Sequence, residues 1–186
     1  MGLKSTGAAQ SLSLFETTDR QSMQIKIFSC GGTIDKVYFD ANSDFSVGEP
    51  QVKTVFADAN VAFEFQIESL MQKDSLEMTV QDRQLLRDRI VMDDASQILV
   101  THGTDTMTMT AEFLLGIPNK VIVLTGSMTP ARFRVTDAVF NIGCAVGALQ
   151  SKPAGVYITM NGRVFMAGNV RKNRERHCFE EIVASE

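Results

Sequence analysis

Residues 23–35 read MQIKIFSCGGTID, and residues 97–106 read QILVTHGTDT. In both, a short apolar run of strand-forming residues breaks off into glycine and threonine, the pattern of a buried strand that ends in a tight turn. Outward from these two stretches the same alternation continues. Residues 61–67, VAFEFQI, alternate apolar and polar like a half-exposed strand, and TVQDRQLLRDRI follows with helical character. Thr79 is placed to cap that helix, with Asp82 three residues on. MTMTAEFLLG reads as a helix closed by Gly116 ahead of Pro118, KVIVLTGS as another buried strand, residues 135–150 as a helix with small packing residues, and AGVYITM as a final strand. The segment from Asn161 reads as a short, polar, basic tail. Strands alternating with helices in this way predict an α/β fold, a doubly wound and mostly parallel sheet with helices on both faces. Ligands of such sheets bind beyond the carboxyl ends of the strands, where both glycine-threonine turns fall.

The chain has 186 residues, 44% hydrophobic and 22% charged, the scale of one globular α/β domain. A net charge of −4 disfavours a general grip on nucleic acid or on an anionic membrane and suits a small neutral or zwitterionic ligand. Cys30, Cys144 and Cys178 form no CxxC pair, so neither a disulfide framework nor a zinc site is expected, and a reducing cytoplasm is the default. No apolar stretch is long enough to span a bilayer. Residues 1–22, rich in Ser, Thr, Gly and Gln ahead of a second methionine, read as a disordered leader or expression tail; MGLKST loosely fits an N-myristoylation signal. The folded domain is expected over residues 23–186.

Gly32-Thr33 and Gly103-Thr104 would bring two hydroxyls and several backbone N–H groups into one crevice if their strands are neighbours. Glycine allows a ligand to approach the backbone closely, and freed N–H groups stabilise an oxyanion. A threonine hydroxyl needs a base or a cation to become a nucleophile; Asp105, beside Thr104, and Lys172 are the candidate groups. A glycine-threonine pair taken alone is most often an ordinary helix cap.

GGTID, THGTDTM and VRKN, in this order and spacing, closely resemble the bacterial-type L-asparaginase/glutaminase family, from about Met23 to Phe179. The resemblance implies a doubly wound amidohydrolase domain that needs neither metal nor organic cofactor, with L-asparagine as substrate. It implies Thr33 as the nucleophile that forms an acyl-enzyme, and Thr104, Asp105 and Lys172 as a supporting triad. It also implies that Gly32, Ser75, Glu77, Thr104 and Asp105 hold the substrate, with Asp105 at the α-ammonium and Ser75 at the α-carboxylate. This chain departs from the family pattern at three points. SDFSVG puts Phe45 where the lid tyrosine is usual, which leaves Tyr38 as the candidate to activate Thr33. Leu76 replaces a polar residue, and Glu77 replaces aspartate. The chain resembles short, single-domain members, so a complete site implies a homo-oligomer, a dimer or tetramer. An amide-hydrolysing subunit of a tRNA-dependent amidotransferase and a catalytically silent amino-acid-binding module are the rival readings. Cys30 reads as a buried free thiol, His102 as an orienting residue and the RKNRERH cluster as solvated surface.

Overall fold

The computed structural model describes residues 23–39 and 44–182. The expected leader, residues 1–22, lies outside the described residues. Six strands form the main sheet: β1 (Gln24–Gly31), β4 (Glu64–Lys73), β5 (Gln97–Thr101), β6 (Val121–Thr125), β7 (Gly155–Met160) and β8 (Arg163–Met166), in the order β4-β1-β5-β6-β7-β8. All neighbours are parallel except β7 and β8. The fold is therefore the expected α/β sandwich with a mostly parallel central sheet.

Side-chain alternation sorts the core into two layers. Ile25, Ile27, Leu99, Val123 and Tyr157 point to the face covered by helices α1 (Val52–Asp58) and α4 (Ala138–Ser151). Phe28, Ile98, Val100, Ile122 and Leu124 point to the face covered by α2 (Val80–Met92) and α3 (Met107–Phe113). The Thr79–Asp82 capping box is formed as the sequence indicates.

The chain reverses its direction of travel across the sheet between β1 and β5, since β1 is flanked by β4 on one side and β5 on the other. That makes the carboxyl ends of β1 and β5 the topological switch point. The crossovers through α1, α2 and α3 share one hand. The crossover through α4 travels the same way as that through α3 but over the opposite face, so its hand is the reverse. With parallel crossovers overwhelmingly right-handed, the β6–α4–β7 unit is the left-handed exception. Its consequence is local: the flank of α3 is left open for the chain's last strands.

Those strands correct the sequence reading. The segment after Asn161 is no tail. Asn161 and Gly162, with φ of 53° and 76°, make the left-handed turn that folds β8 back on β7. Next, β9 (Val170–Asn173) and β10 (Cys178–Glu181) pair as an antiparallel hairpin. Phe165, Val170 and Phe179 from this region are buried against the α2/α3 layer. Helix α1 and the hairpin β2 (Lys36–Phe39) with β3 (Asp44–Val47) also went unread in the sequence. The half-exposed strand expected over residues 61–67 lies three residues later in its start, at Glu64, and runs on to Lys73.

Candidate active site

β1 ends on two glycines with φ of 84° and 91°, a region that residues with a Cβ avoid. A Cβ on Gly32 would collide with the Cα and N of Gly103, so the two glycine-threonine turns touch backbone to backbone. A Cβ on Gly103 would in turn lie 2.7 Å from the Cβ and Oγ of Ser75. Gly32 N donates to Lys73 O at 2.9 Å, which fixes the end of β4 beside the first turn. Three sequence segments thus meet at the switch point through contacts that only glycine permits.

Thr33 opens a short 3-10 turn (Thr33–Asp35) and is half-buried. Asp35 fixes that turn from below: fully buried, it accepts from Ser29 Oγ at 2.9 Å and from Gln51 N at 2.8 Å. Its burial, aided by the negative charge of Glu49 and opposed by these two hydrogen bonds, raises its carboxyl to about 6. The Asp35 carbonyl also receives Gly48 N at 2.8 Å, so this one residue pins both ends of the β2–β3 hairpin. Tyr38 and Phe45 face each other in the register of that hairpin. Their side chains, and with them the expected activation of Thr33 by Tyr38, lie outside the described residues.

Opposite Thr33, the second turn is charged and tightly bonded. Lys172 Nζ, reaching in from β9, donates to Thr104 Oγ1 at 2.7 Å and to Asp105 Oδ1 at 3.0 Å. Thr104 is buried and the Lys172 side chain is 15% exposed, so the Lys172–Thr104 bond is shielded from water, while Asp105 keeps a third of its side chain open to solvent. Arg174 adds a second cation to Asp105, Nη2 to Oδ1 at 3.6 Å, from a side chain that is 71% exposed. Among the described residues no direct hydrogen bond joins Thr33 to this cluster.

Ser75 is buried in a 3-10 turn (Ser75–Glu77), and its Oγ has no hydrogen-bond partner among the described residues. Such an orphaned hydroxyl, seated against Gly103, is equipped to meet a polar ligand atom. Its carbonyl accepts from Thr106 Oγ1 at 2.7 Å. Asp74 caps the turn through Leu76 N and pairs with Lys36 at 3.0 Å. Glu77, on the same turn, is exposed at the rim, as is Leu76.

Behind the second motif runs a support that the sequence did not reveal. Arg83, buried on α2, donates to Thr110 Oγ1 at 3.0 Å, to Thr106 Oγ1 at 3.1 Å and to the Met78 carbonyl at 3.0 Å. Thr110 Oγ1 lies 2.9 Å from His102 Nε2, and His102 Nδ1 lies 2.7 Å from the Gly103 carbonyl. A carbonyl only accepts, so the proton sits on Nδ1 and the Thr110 hydroxyl donates to Nε2. Burial lowers the His102 imidazole to about 4, which keeps it neutral. His102 is therefore the orienting residue expected. Asp137 does the same for the loop after β6, accepting from Met128 N at 3.0 Å and Thr129 N at 3.1 Å. An Arg three residues into a helix and an Asp before one carry no distinctive sequence signal. Cys30 is fully buried and its thiol is pushed up to about 12 by that burial, which makes it inert. No group of three or more metal-ligating side chains occurs among the described residues.

Comparison with known proteins follows the same lines. The asparaginase N-terminal family model matches residues 24–183. The glutaminase-asparaginase of Acinetobacter glutaminasificans is 35% identical over 119 residues, 60% of this chain and 35% of that protein. A glutamyl-tRNA(Gln) amidotransferase subunit of Archaeoglobus fulgidus is 28% identical over 182 residues, 86% of this chain and 42% of that one. Among solved structures, L-asparaginase I from Vibrio cholerae superposes with a TM-score of 0.75 at 26% identity, covering 86% of this chain and 51% of that one. The chain spans about half the length of that structure and less of the two other relatives. With the family model matched across nearly all the described residues, and the fold matched with it, this chain belongs to the asparaginase N-terminal-domain family.

Proposed function

We propose that the chain is an L-asparaginase, hydrolysing L-asparagine to L-aspartate and ammonia with minor activity on glutamine. The observation that carries this reading is the Thr104–Lys172–Asp105 cluster, on a turn that touches the Thr33 turn through Gly32 and Gly103. In the proposed reaction Thr33 Oγ1 bonds to the side-chain carbonyl carbon, the C–N bond breaks, and the amide nitrogen leaves as ammonia with the proton that Thr33 gave up. Water then attacks the acyl-enzyme and restores the hydroxyl. Lys172 moves protons at Thr104, and Asp105 holds Lys172 in place while its carboxylate receives the substrate's α-ammonium. The orphaned Ser75 Oγ takes the α-carboxylate, with Gly32 and Gly103 giving it access and Glu77 at the rim.

Thr33→Ala and Lys172→Ala should each abolish ammonia release from asparagine while leaving the circular dichroism spectrum unchanged. Wild-type turnover in both would sink the reading, and tight aspartate binding with no ammonia release by the wild type would favour a silent binding module. The match to the amidotransferase subunit of Archaeoglobus fulgidus across 86% of the chain supports a second reading, an amide-hydrolysing subunit that hands ammonia to a partner; glutamine turnover that appears only with such a partner would select it. A homo-oligomer is part of the proposal. It is supported by the outward face of α4, a helix without a charged residue on which Val139 and Phe140 are exposed; light scattering tests it. Three free thiols support a reducing, cytoplasmic setting.

A further inference from the structure

Asp105 is engaged by two cations of different kinds. Lys172 is held by two short bonds and mostly buried, so it stays. Arg174 lies two residues further on, at the first position of the β9–β10 turn. It keeps one long contact of 3.6 Å with the same carboxylate oxygen and is largely in water. The other arginines of this hairpin are committed elsewhere: Arg171 and Arg176 both pair with Glu180, at 2.8 Å and 3.6 Å. Arg174 is thus the hairpin's one arginine turned to the site, and the cation that is free to leave.

We propose that Arg174 is a specificity-determining residue that competes with the ligand's α-ammonium for Asp105 and so weakens the site's preference for amino acids over the same acids without an amino group. The inference rests on the proposed reading in which Asp105 receives that ammonium. An arriving ammonium must displace Arg174 or share Asp105 with it, at the expense of an ion pair. A four-carbon acid lacking the amino group leaves the Arg174–Asp105 pair intact. Exposed ion pairs of this type change equilibria by at most about fivefold, which sets the size of the effect.

The test is calorimetric binding of L-aspartate and of succinate, the same dicarboxylate without the amino group, to the wild type, Arg174→Ala, Arg174→Lys and Arg176→Ala. Arg174→Ala should tighten aspartate about two- to fivefold and leave succinate unchanged or weaker, raising the aspartate/succinate preference. Arg174→Lys should restore the wild-type ratio, Arg176→Ala should not alter it, and added salt should shrink the difference between wild type and Arg174→Ala. An unchanged ratio, or aspartate bound more weakly by Arg174→Ala, overturns the competition and leaves the amino-acid site standing. A wild-type protein that binds neither ligand overturns the amino-acid site and this inference with it.

Discussion

Replacing Asp35 with asparagine should stabilise the protein at neutral and alkaline pH. Asp35 is fully buried, and its carboxyl rises from an ordinary 3.8 to about 6 because burial penalises the charge more than Ser29 Oγ and Gln51 N compensate it. A group whose folded value lies above its unfolded one favours the folded state while protonated in both. Its contribution is complete below pH 3.8, falls as pH rises through about 6, and is gone above that. At about 1.4 kcal/mol per tenfold, the difference corresponds to about 3 kcal/mol. Asparagine keeps the shape. Its oxygen can accept from Gln51 N and its amide can donate to Ser29 Oγ, so the charge is removed with both bonds replaced. Urea unfolding of both proteins from pH 4 to pH 8.5 reads the effect. The stability difference between Asp35→Asn and wild type should grow with pH through the 4–6 window and level off near 3 kcal/mol, equivalent to about 6 to 12 °C in Tm for a chain of this size. Parallel stability curves, or a variant less stable than wild type at pH 8, would refute the claim that Asp35 is buried at a net electrostatic cost.

His102 should act in the opposite sense. Its folded value of about 4 lies below the ordinary 6.5, so its contribution is present above pH 6.5 and is lost as pH falls through 4; His102→Asn should flatten that acid loss, of about 3 kcal/mol, in the same urea series. Gly103→Ala should lower stability by about 1 to 3 kcal/mol and abolish aspartate binding, because the new methyl would meet Ser75 at 2.7 Å and overpack the crevice; normal binding in calorimetry would show that the turns can part. Native protein treated with iodoacetamide at pH 8 should be labelled at Cys144 and Cys178, both half-exposed, and not at Cys30, as mass spectrometry of the digests can show.

The strands that are clearest in the sequence share one property: their apolar runs are buried on both sides and lead into a turn that contains glycine. β1, β5, β6 and β7 are of this type, and each strand-end turn announced itself by residues that a strand cannot use. Helix α1, with seven residues, is as short as α3 but lacks the glycine-proline stop that follows α3. β8 and β9, of four residues each, acquire their strand character from the partners beside them. Asn161-Gly162, between two β-like runs, is nonetheless a strong hairpin marker in the sequence. Within the site, Thr104, Asp105 and Lys172 come together as the motifs imply, whereas Asp35, Arg83 and Asp137 were invisible. Their work is to satisfy backbone and hydroxyl groups that become neighbours only after folding, so even Asp35, inside GGTID, carries no local mark of that role. For Thr33, the proposed nucleophile, the position is legible but the group that would activate it is not.

Lys172 and Thr104 are 68 residues apart in the chain, and the bond between them is made by a strand that docks beside α3, on the face α4 does not cover. The constellation is therefore a late event in the life of the polypeptide. A chain still leaving the ribosome can lay down β1, β4, β5 and β6 while its crevice holds no cation at Thr104. Contacts of such wide separation also form slowly. Ligand binding, measured during refolding, would therefore clock the docking of the β9–β10 hairpin, and a truncation between Met166 and Lys172 would yield the six-stranded sheet with no lysine at Thr104.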